Sequence, residues 1–267
     1  MPIDPSVPMT RDRVAELLEN RGQNLTGLSI GETAGVLFLI QDHGPQGPVL
    51  LLTKRSPWVK QSGDLCCPGG RVHRVLDRAL AGFFLLPGSP LSRSPGWIAG
   101  KHRGGHWRRL VSLYWSCSLR ESWEEMGLRP WGVDFLGLLP RYSLALFRRG
   151  ILPLVGWIRG HRRLQLNWEV ERLVPIPFSA LVAAENYAAY HLEADWDEPP
   201  TWGKGPVAFP CFLHRDAGGQ EVLWGATYQI VLTFLDRVLG FEPPPIANRP
   251  VVTGTLSSTY ATGRPRV

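Results

Sequence analysis

One nine-residue stretch limits the fold more than any other: Arg120-Glu121-Ser122-Trp123-Glu124-Glu125-Met126-Gly127-Leu128. At about 100° per residue, a helix here gathers Glu121, Glu124 and Glu125 into roughly a 100° arc. Trp115, Leu119, Trp123 and Met126 recur at spacings of four, four and three and form an apolar stripe facing nearly the opposite way. The pattern predicts a helix from about Trp107 to Met126, with Gly127 as its C-terminal stop. Such a helix needs an apolar layer on one side. On the other it needs a cation, because three carboxylates on one face repel.

The apolar layer is legible upstream. Thr33 to Ile40 is a continuous apolar run and reads as a buried strand. A Gly/Pro-rich loop follows, and then Val49 to Thr53 as a second strand, so the two suggest a hairpin within a mixed sheet. Phe135–Leu139 and Leu152–Ile158 are further strand candidates. Residues 10–21 pattern as a short amphipathic helix, Pro177 to Ala184 opens another, and Trp224–Leu239 forms a strong one. Residues 76–105, rich in Gly, Pro, Ser and Arg, read as an insertion with little regular structure. Residues 1–241 are expected to be one domain interrupted at about 71–110, and residues 242–267 a tail without fixed structure.

Charge is concentrated in that insertion. The net charge is +6, yet residues 71–110 alone carry +7 and the remainder −1. Asp77 is the only acid in the segment. A nucleic-acid groove would pair spread basic residues with stacking aromatics, so nucleic acid is a disfavoured partner and a phosphate-attracting rim is preferred. Arg103, Arg108 and Arg109 are the candidates for that rim, and Trp97, Phe83 and Phe84 are the alternative if the segment binds a partner instead. The four cysteines form no C-x-x-C pair, which excludes a zinc ribbon or a redox motif of that type. The N-terminal residues lack an apolar signal core and no run is long enough to span a bilayer, so a cytoplasmic location without membrane attachment is expected.

The three glutamates offer only oxygen ligands, which suits a hard ion, Mg²⁺ or Mn²⁺, better than zinc. Such an ion polarises a phosphoryl oxygen and acidifies bound water, and a free carboxylate can take the proton. Arg120 is placed to fix one carboxylate's rotamer. Taken alone, E-x-x-E-E favours a solvated acidic helix end.

The wider pattern resembles a known family. REsxEExGL matches the second half of the Nudix box, G-x5-E-x7-R-E-U-x-E-E-x-G-U, and Cys67-Pro68-Gly69-Gly70 is similar to the F-P-G-G that opens it. LLTKRS at Leu51–Ser56 and the G-x3-C-P-G-G of Gly63–Gly70 resemble the coenzyme A diphosphatase branch, as do LPLVGWI, LNWEVERLVPIPFSAL and LWGAT downstream. The resemblance implies an α/β/α sandwich around a mixed β-sheet. It also implies cleavage of coenzyme A or an acyl derivative into a 4′-phosphopantetheine product and 3′,5′-ADP. It assigns catalysis to Arg120, Glu121, Glu124 and Glu125, and the metals to the same three glutamates with the Gly70 carbonyl. Lys54, Arg55, Lys60, Gly69 and Gly70 would face the substrate.

Three positions depart from that pattern. Gly70 to Arg120 spans fifty positions where the family has fourteen, a surplus of thirty-six. Leu76 stands at the spacing of the early box glutamate, with Asp77 beside it. The coenzyme A signature is one residue short between Lys60 and Gly63, and Cys67 replaces its phenylalanine. Glu169 is a candidate distal carboxylate or an ordinary strand-end glutamate. His191, Glu193 and Asp195 are spaced like metal ligands but alternate like a strand. The readings carried forward are a diphosphatase for coenzyme A, a Nudix hydrolase for another nucleoside diphosphate derivative, and a Nudix-like module that binds a nucleotide, RNA or protein without catalysis.

Overall fold

The computed structural model describes residues 9–20, 25, 27–42, 47–144, 149–160, 163–194, 207–260 and 262–264. The chain begins with α1 (Arg11–Asn20), β1 (Thr33–Asp42), β2 (Pro48–Arg55), β3 (Leu65–Cys66) and β4 (Gly69–Arg71). Then come α2 (Leu76–Phe84), α3 (Pro95–Ala99), α4 (Gly104–Met126), β5 (Val133–Leu138), β6 (Tyr142–Leu144), β7 (Arg149–Ile158) and β8 (Val170–Pro177). The remainder is α5 (Phe178–Leu181), β9 (Tyr187–Ala194), β10 (Val207–Asp216), β11 (Gly219–Leu223), α6 (Gly225–Leu239) and β12 (Val251–Leu256).

β1 lies at the centre of the main sheet. It pairs antiparallel with β2 (Leu39 opposite Leu51), antiparallel with β4 and parallel with β7. β5 and β6 add to β7, while β3 and β8 add to β2, which makes the sheet mixed. Successive side chains of a strand alternate faces. Leu37 and Leu39 accordingly join the core beneath α4, and Phe38 and Ile40 join the core shared with α1 and α6. Burial on both faces is why β1 reads as an unbroken apolar run. The result is an α/β/α sandwich around a mixed sheet. A second, four-stranded sheet, β11-β10-β9-β12, closes the α6 side, where Phe212 and Leu223 join the same core.

The insertion is folded, contrary to the irregular segment expected from its composition. It forms α2, α3 and the first turns of α4, linked by 3₁₀ turns at Leu91–Arg93 and Gly100–Arg103. The apolar residues within the Gly/Ser/Pro-rich text are what fold it: Phe84, Leu91, Trp97 and Trp107 are buried, and Trp107 reaches Phe135 of β5. Gly96 lets α3 lie directly on β5, because a Cβ there would sit 2.3 Å from the Leu136 carbonyl carbon. Ser94, extended, with Pro95 at the first helical position, starts that helix.

α4 is therefore covered on two sides. Every residue from Leu110 to Arg120 is buried, with the sheet on one face and Asp77, Ala81 and Phe84 of α2 on another. Four small polar residues allow this closeness: Ser112, Ser116, Ser118 and Ser122 return their hydroxyls to backbone carbonyls of their own helix. Trp123 does not join the core as the stripe suggests; it is 59% exposed. Each step of four residues advances about 40° around a helix, so two steps from Trp115 carry Trp123 about 80° off the buried line, while Met126 returns to about 20°. Gly127 stops the helix in a left-handed conformation (φ 67°), and the Leu128 amide bonds back to Ser122.

Residues 243–260 and 262–264 are also ordered, contrary to expectation. β12 runs parallel to β9, from Val251 opposite Ala189 to Leu256 opposite Ala194. The prolines and small polar residues that suggested disorder serve a crossover onto a sheet edge. Asp195 of the His191, Glu193, Asp195 trio lies outside the described residues, and His191 and Glu193 are paired within β9.

Candidate active site

The first half of the box is a tight crossing of backbones. The Pro68 carbonyl accepts from the Leu37 amide, and Gly35 and Gly70 are partners across β1 and β4. Gly69 has φ 152°, and a Cβ there would lie 2.3 Å from the Gly35 oxygen. A Cβ on Gly70 would lie 2.4 Å from the Glu121 carboxylate. Gly69 is therefore required by close approach to backbone, while a Cβ on Gly70 would displace the Glu121 carboxylate; Gly70 brings a main-chain carbonyl beside the first glutamate of α4. That carbonyl also accepts a hydrogen bond from the Cys117 thiol, 3.4 Å away.

Arg120 organises the carboxylates. Its guanidinium donates to both oxygens of Asp77 (2.8 and 3.2 Å), to Glu121 (2.9 Å), to Glu124 (3.0 Å) and to the Arg71 carbonyl (3.1 Å). Asp77 is fully buried and also accepts from the His73 amide at 2.6 Å. The fixed fork of an arginine suits several carboxylates at once. These partners hold Arg120 charged more firmly than an ordinary arginine, against the burial that opposes it. Asp77 thus supplies an acid from the first half of the box, one position beyond Leu76, which is exposed. The sequence signal was there: the single acid in a segment of charge +7 has to be held by something.

Glu125 lies on the far side of Glu121. Burial, with Glu121 and Glu169 nearby, pushes its pKa up to about 8, while Arg55 and a hydrogen bond from the Gly69 amide pull the other way. Burial also raises Glu121, with Arg120 opposing. Glu169 comes close because the loop before β8 is sewn to the end of α4. The Gln165 and Asn167 amides donate to the carbonyls of Met126 and Glu125, and the Asn167 side chain accepts from the Glu169 amide. Among the described residues no three acidic, histidine or cysteine side chains converge tightly enough to grip an ion as they stand. The donor chemistry nevertheless fits a hard divalent cation. Glu121 and Glu125 are crowded carboxylates held back from water, and Glu121 abuts the Gly70 backbone.

The sheet separates the two basic residues at the end of β2. Lys54 continues the alternation of Leu50 and Leu52 and points away from α4, where its ammonium pairs with Glu221 (3.0 Å) and Glu171 (3.2 Å). In this structure it is an ion-pair lysine of the opposite face, away from the glutamates. Arg55 lies on the α4 side, close enough to act on both Glu125 and Cys66, and its Nε donates to the Lys60 carbonyl at 2.7 Å. Lys60 is exposed on the loop between β2 and β3.

Asp64 closes that loop. Burial raises its pKa, and hydrogen bonds from Tyr260 (2.6 Å) and the Trp224 indole (3.0 Å) offset part of the rise. Neither Asp64 nor Tyr260 carries a local sequence signal, because 196 positions separate them.

The arginine rim proposed for the insertion is not at the site. Arg103 is bonded to Glu19 of α1 at 2.6 Å, and Arg108 lies over the Trp97 ring at 5.7 Å. They and Arg109 stand at the start of a 23-residue helix whose far end carries the glutamates. Twelve residues of rise separate Arg109 from Glu121, about 18 Å. Trp97 and Phe84 are buried and Phe83 is exposed, so the first two are core residues and not a partner-binding surface.

Scans against protein-family models and curated proteins find no match. Solved structures similar to the chain include a Nudix hydrolase from M. smegmatis, RenU, at 15% identity and a TM-score of 0.36, covering 57% of this chain and 73% of that one. A NUDIX hydrolase from Alicyclobacillus acidocaldarius aligns at 14% identity and a TM-score of 0.39, covering 57% and 81%. The NUDIX domain of Shewanella oneidensis NrtR, complexed with ADP ribose, aligns at 15% identity and a TM-score of 0.35, covering 65% and 86%. Among the described residues no helix is long and apolar enough to cross a membrane.

Proposed function

We propose that the chain is a Nudix-type hydrolase that uses Mg²⁺ or Mn²⁺ to cleave a diphosphate bond in coenzyme A or a related nucleoside diphosphate derivative. The observation that carries this reading is the meeting of two segments fifty positions apart. The Gly69-Gly70 backbone lies against Glu121, and Arg120 locks Glu121 and Glu124 to Asp77. A solvated acidic helix end has no use for a fully buried aspartate holding its arginine, or for a glycine backbone packed against its first glutamate.

In this reading Glu121, Glu124, Glu125 and the Gly70 carbonyl hold the cation. When bound, the cation supplies charge neutralisation at the phosphoryl oxygens and makes water more acidic. Arg120 sets the rotamers of Glu121 and Glu124. Burial beside Glu121 and Glu169 raises the proton affinity of Glu125, and in this reading Glu125, ionised once the cation is bound, or Glu169 beside it takes the proton from the attacking water. Arg55 and Lys60 meet the diphosphate from the loop side. Membrane attachment plays no part in this reading, and the substrate is a small molecule.

The test is a Mg²⁺-dependent assay over coenzyme A, acyl-coenzyme A, ADP-ribose and a dinucleotide, with product analysis. Release of 3′,5′-ADP from coenzyme A is the expected result. Turnover of ADP-ribose or the dinucleotide alone would move the substrate within the same reaction class. Nucleotide binding by folded protein without turnover of any member would replace the enzyme with a binding module.

A further inference from the structure

The loop that carries Lys60 is held by its own hydrogen bonds and by a second segment. Among the described residues Gln61 is the only non-glycine residue with a positive φ, at 57°. Side-chain-bearing residues stay in that region only when their surroundings hold them there. Part of that hold comes from residues near the C-terminus. After β12, the segment turns back so that the Tyr260 carbonyl accepts from the Gln61 amide at 2.6 Å. The Tyr260 hydroxyl donates to Asp64 at 2.6 Å, and the Arg264 amide donates to the Pro57 carbonyl at 3.0 Å. Gly263, with φ 80°, leaves room for the Trp58 carbonyl, which a Cβ would meet at 2.6 Å.

The contact runs on toward the site. The Asp64 carbonyl accepts from the Arg55 amide, and the Arg55 carbonyl accepts from Gly63. The Arg55 side chain donates to the Lys60 carbonyl, and its charge acts on both Asp64 and Glu125. We infer that residues 251–260 and 262–264 act as a strap, and that Tyr260 is a positioning residue which, through Asp64 and Gln61, fixes Arg55 and Lys60 where they meet an anionic substrate. The role assigned to Arg55 and Lys60 rests on the proposed function; the strap itself does not.

Two variants test it: Tyr260→Phe, which keeps the ring and removes the hydroxyl, and Gly263→Ala, which disturbs the strap without touching β12 or Tyr260. The first readout is independent of activity: the rate at which trypsin nicks the native protein after Lys60, with the fragment identified by mass. Losing a hydrogen bond to a charged group is expected to speed nicking by about tenfold, equivalent to about 1.4 kcal/mol. The second readout is steady-state kinetics with Mg²⁺ and coenzyme A. An increase in KM with kcat held within about twofold marks lost substrate positioning, whereas general destabilisation would lower the active fraction and leave KM alone. Nicking rates equal to wild type in both variants overturn the strap. Faster nicking with unchanged KM overturns the positioning role. If wild-type protein hydrolyses no diphosphate, the functional reading fails, and the nicking rates decide the strap by themselves.

Discussion

Asp77→Ala gives a direct test of the Arg120 hub. The substitution removes both oxygens that face Arg120 and the acceptor of the His73 amide. It leaves a guanidinium whose side chain is 10% exposed. Breaking a buried ion pair costs about 3–5 kcal/mol, because the surviving charge is left unpaired. Arg120 retains Glu121, Glu124 and the Arg71 carbonyl, so the lower end applies, about 3 kcal/mol. For a chain of this size, that corresponds to a fall in Tm of about 6–12 °C. The double variant Asp77→Ala/Arg120→Met removes both charges from the interior and is expected to recover at least half of the loss, although Glu121 and Glu124 lose a partner. The assay is thermal unfolding by circular dichroism at pH 7 in chelator, with both single variants and the double completing a cycle. A single variant that melts within about 2 °C of wild type, or a double variant whose loss is the plain sum of the two singles, would falsify the hub.

Further expectations follow from the same geometry. Glu125→Gln should fold normally and lose about 10²–10⁴-fold in kcat; an unchanged rate removes this helix from catalysis. Without metal, the raised Glu125 pKa means that the folded state holds a proton the unfolded chain has released, so its contribution to stability is full below the usual glutamate pKa and is lost as pH climbs toward about 8. Melting curves in chelator should show that decline between pH 5 and 8 in wild type, and a smaller one in Glu125→Gln. Gly70→Ala should push the Glu121 carboxylate out of place and weaken Mg²⁺ binding, measured by calorimetry; unchanged affinity would remove Gly70 and Glu121 from the metal site. Lys54→Met should leave KM within about twofold while lowering Tm, because Glu221 is buried; a large rise in KM would return Lys54 to the substrate.

Periodicity revealed what it governs. β1, β2, α6 and the end of α4 follow from apolar runs and helical spacing, and the placing of Gly69, Gly70, Glu121 and Glu125 follows from the box pattern. Composition misled in the two segments where it was the only guide. In the insertion, a few large side chains outweigh many glycines and serines: burying Phe84, Trp97 and Trp107 is worth several kcal/mol in total. The final segment gains its order from pairing with β9 and from Tyr260, partners no local window contains. Lys54 and Arg55 part company because adjacent residues in a strand face opposite ways, and a motif read as a string hides that parity.

Arg120 gives the carboxylate cluster a counter-ion that belongs to the chain. A zinc finger stripped of its ion unfolds, since nothing else offsets its ligands. Here a guanidinium already offsets part of the charge of Glu121 and Glu124, so chelation should leave the protein folded. A divalent ion would then share Glu121 and Glu124 with the arginine, whose positive charge opposes it, and net affinity is the difference between attraction to the carboxylates and repulsion by Arg120. The reaction should therefore be throttled by the concentration of free cation, and Arg120→Met, by removing the competitor, should tighten cation binding even as it loosens the rotamers that orient the site. A calorimetric titration showing weaker binding in that variant would mean that Arg120 supports the ion and does not compete with it.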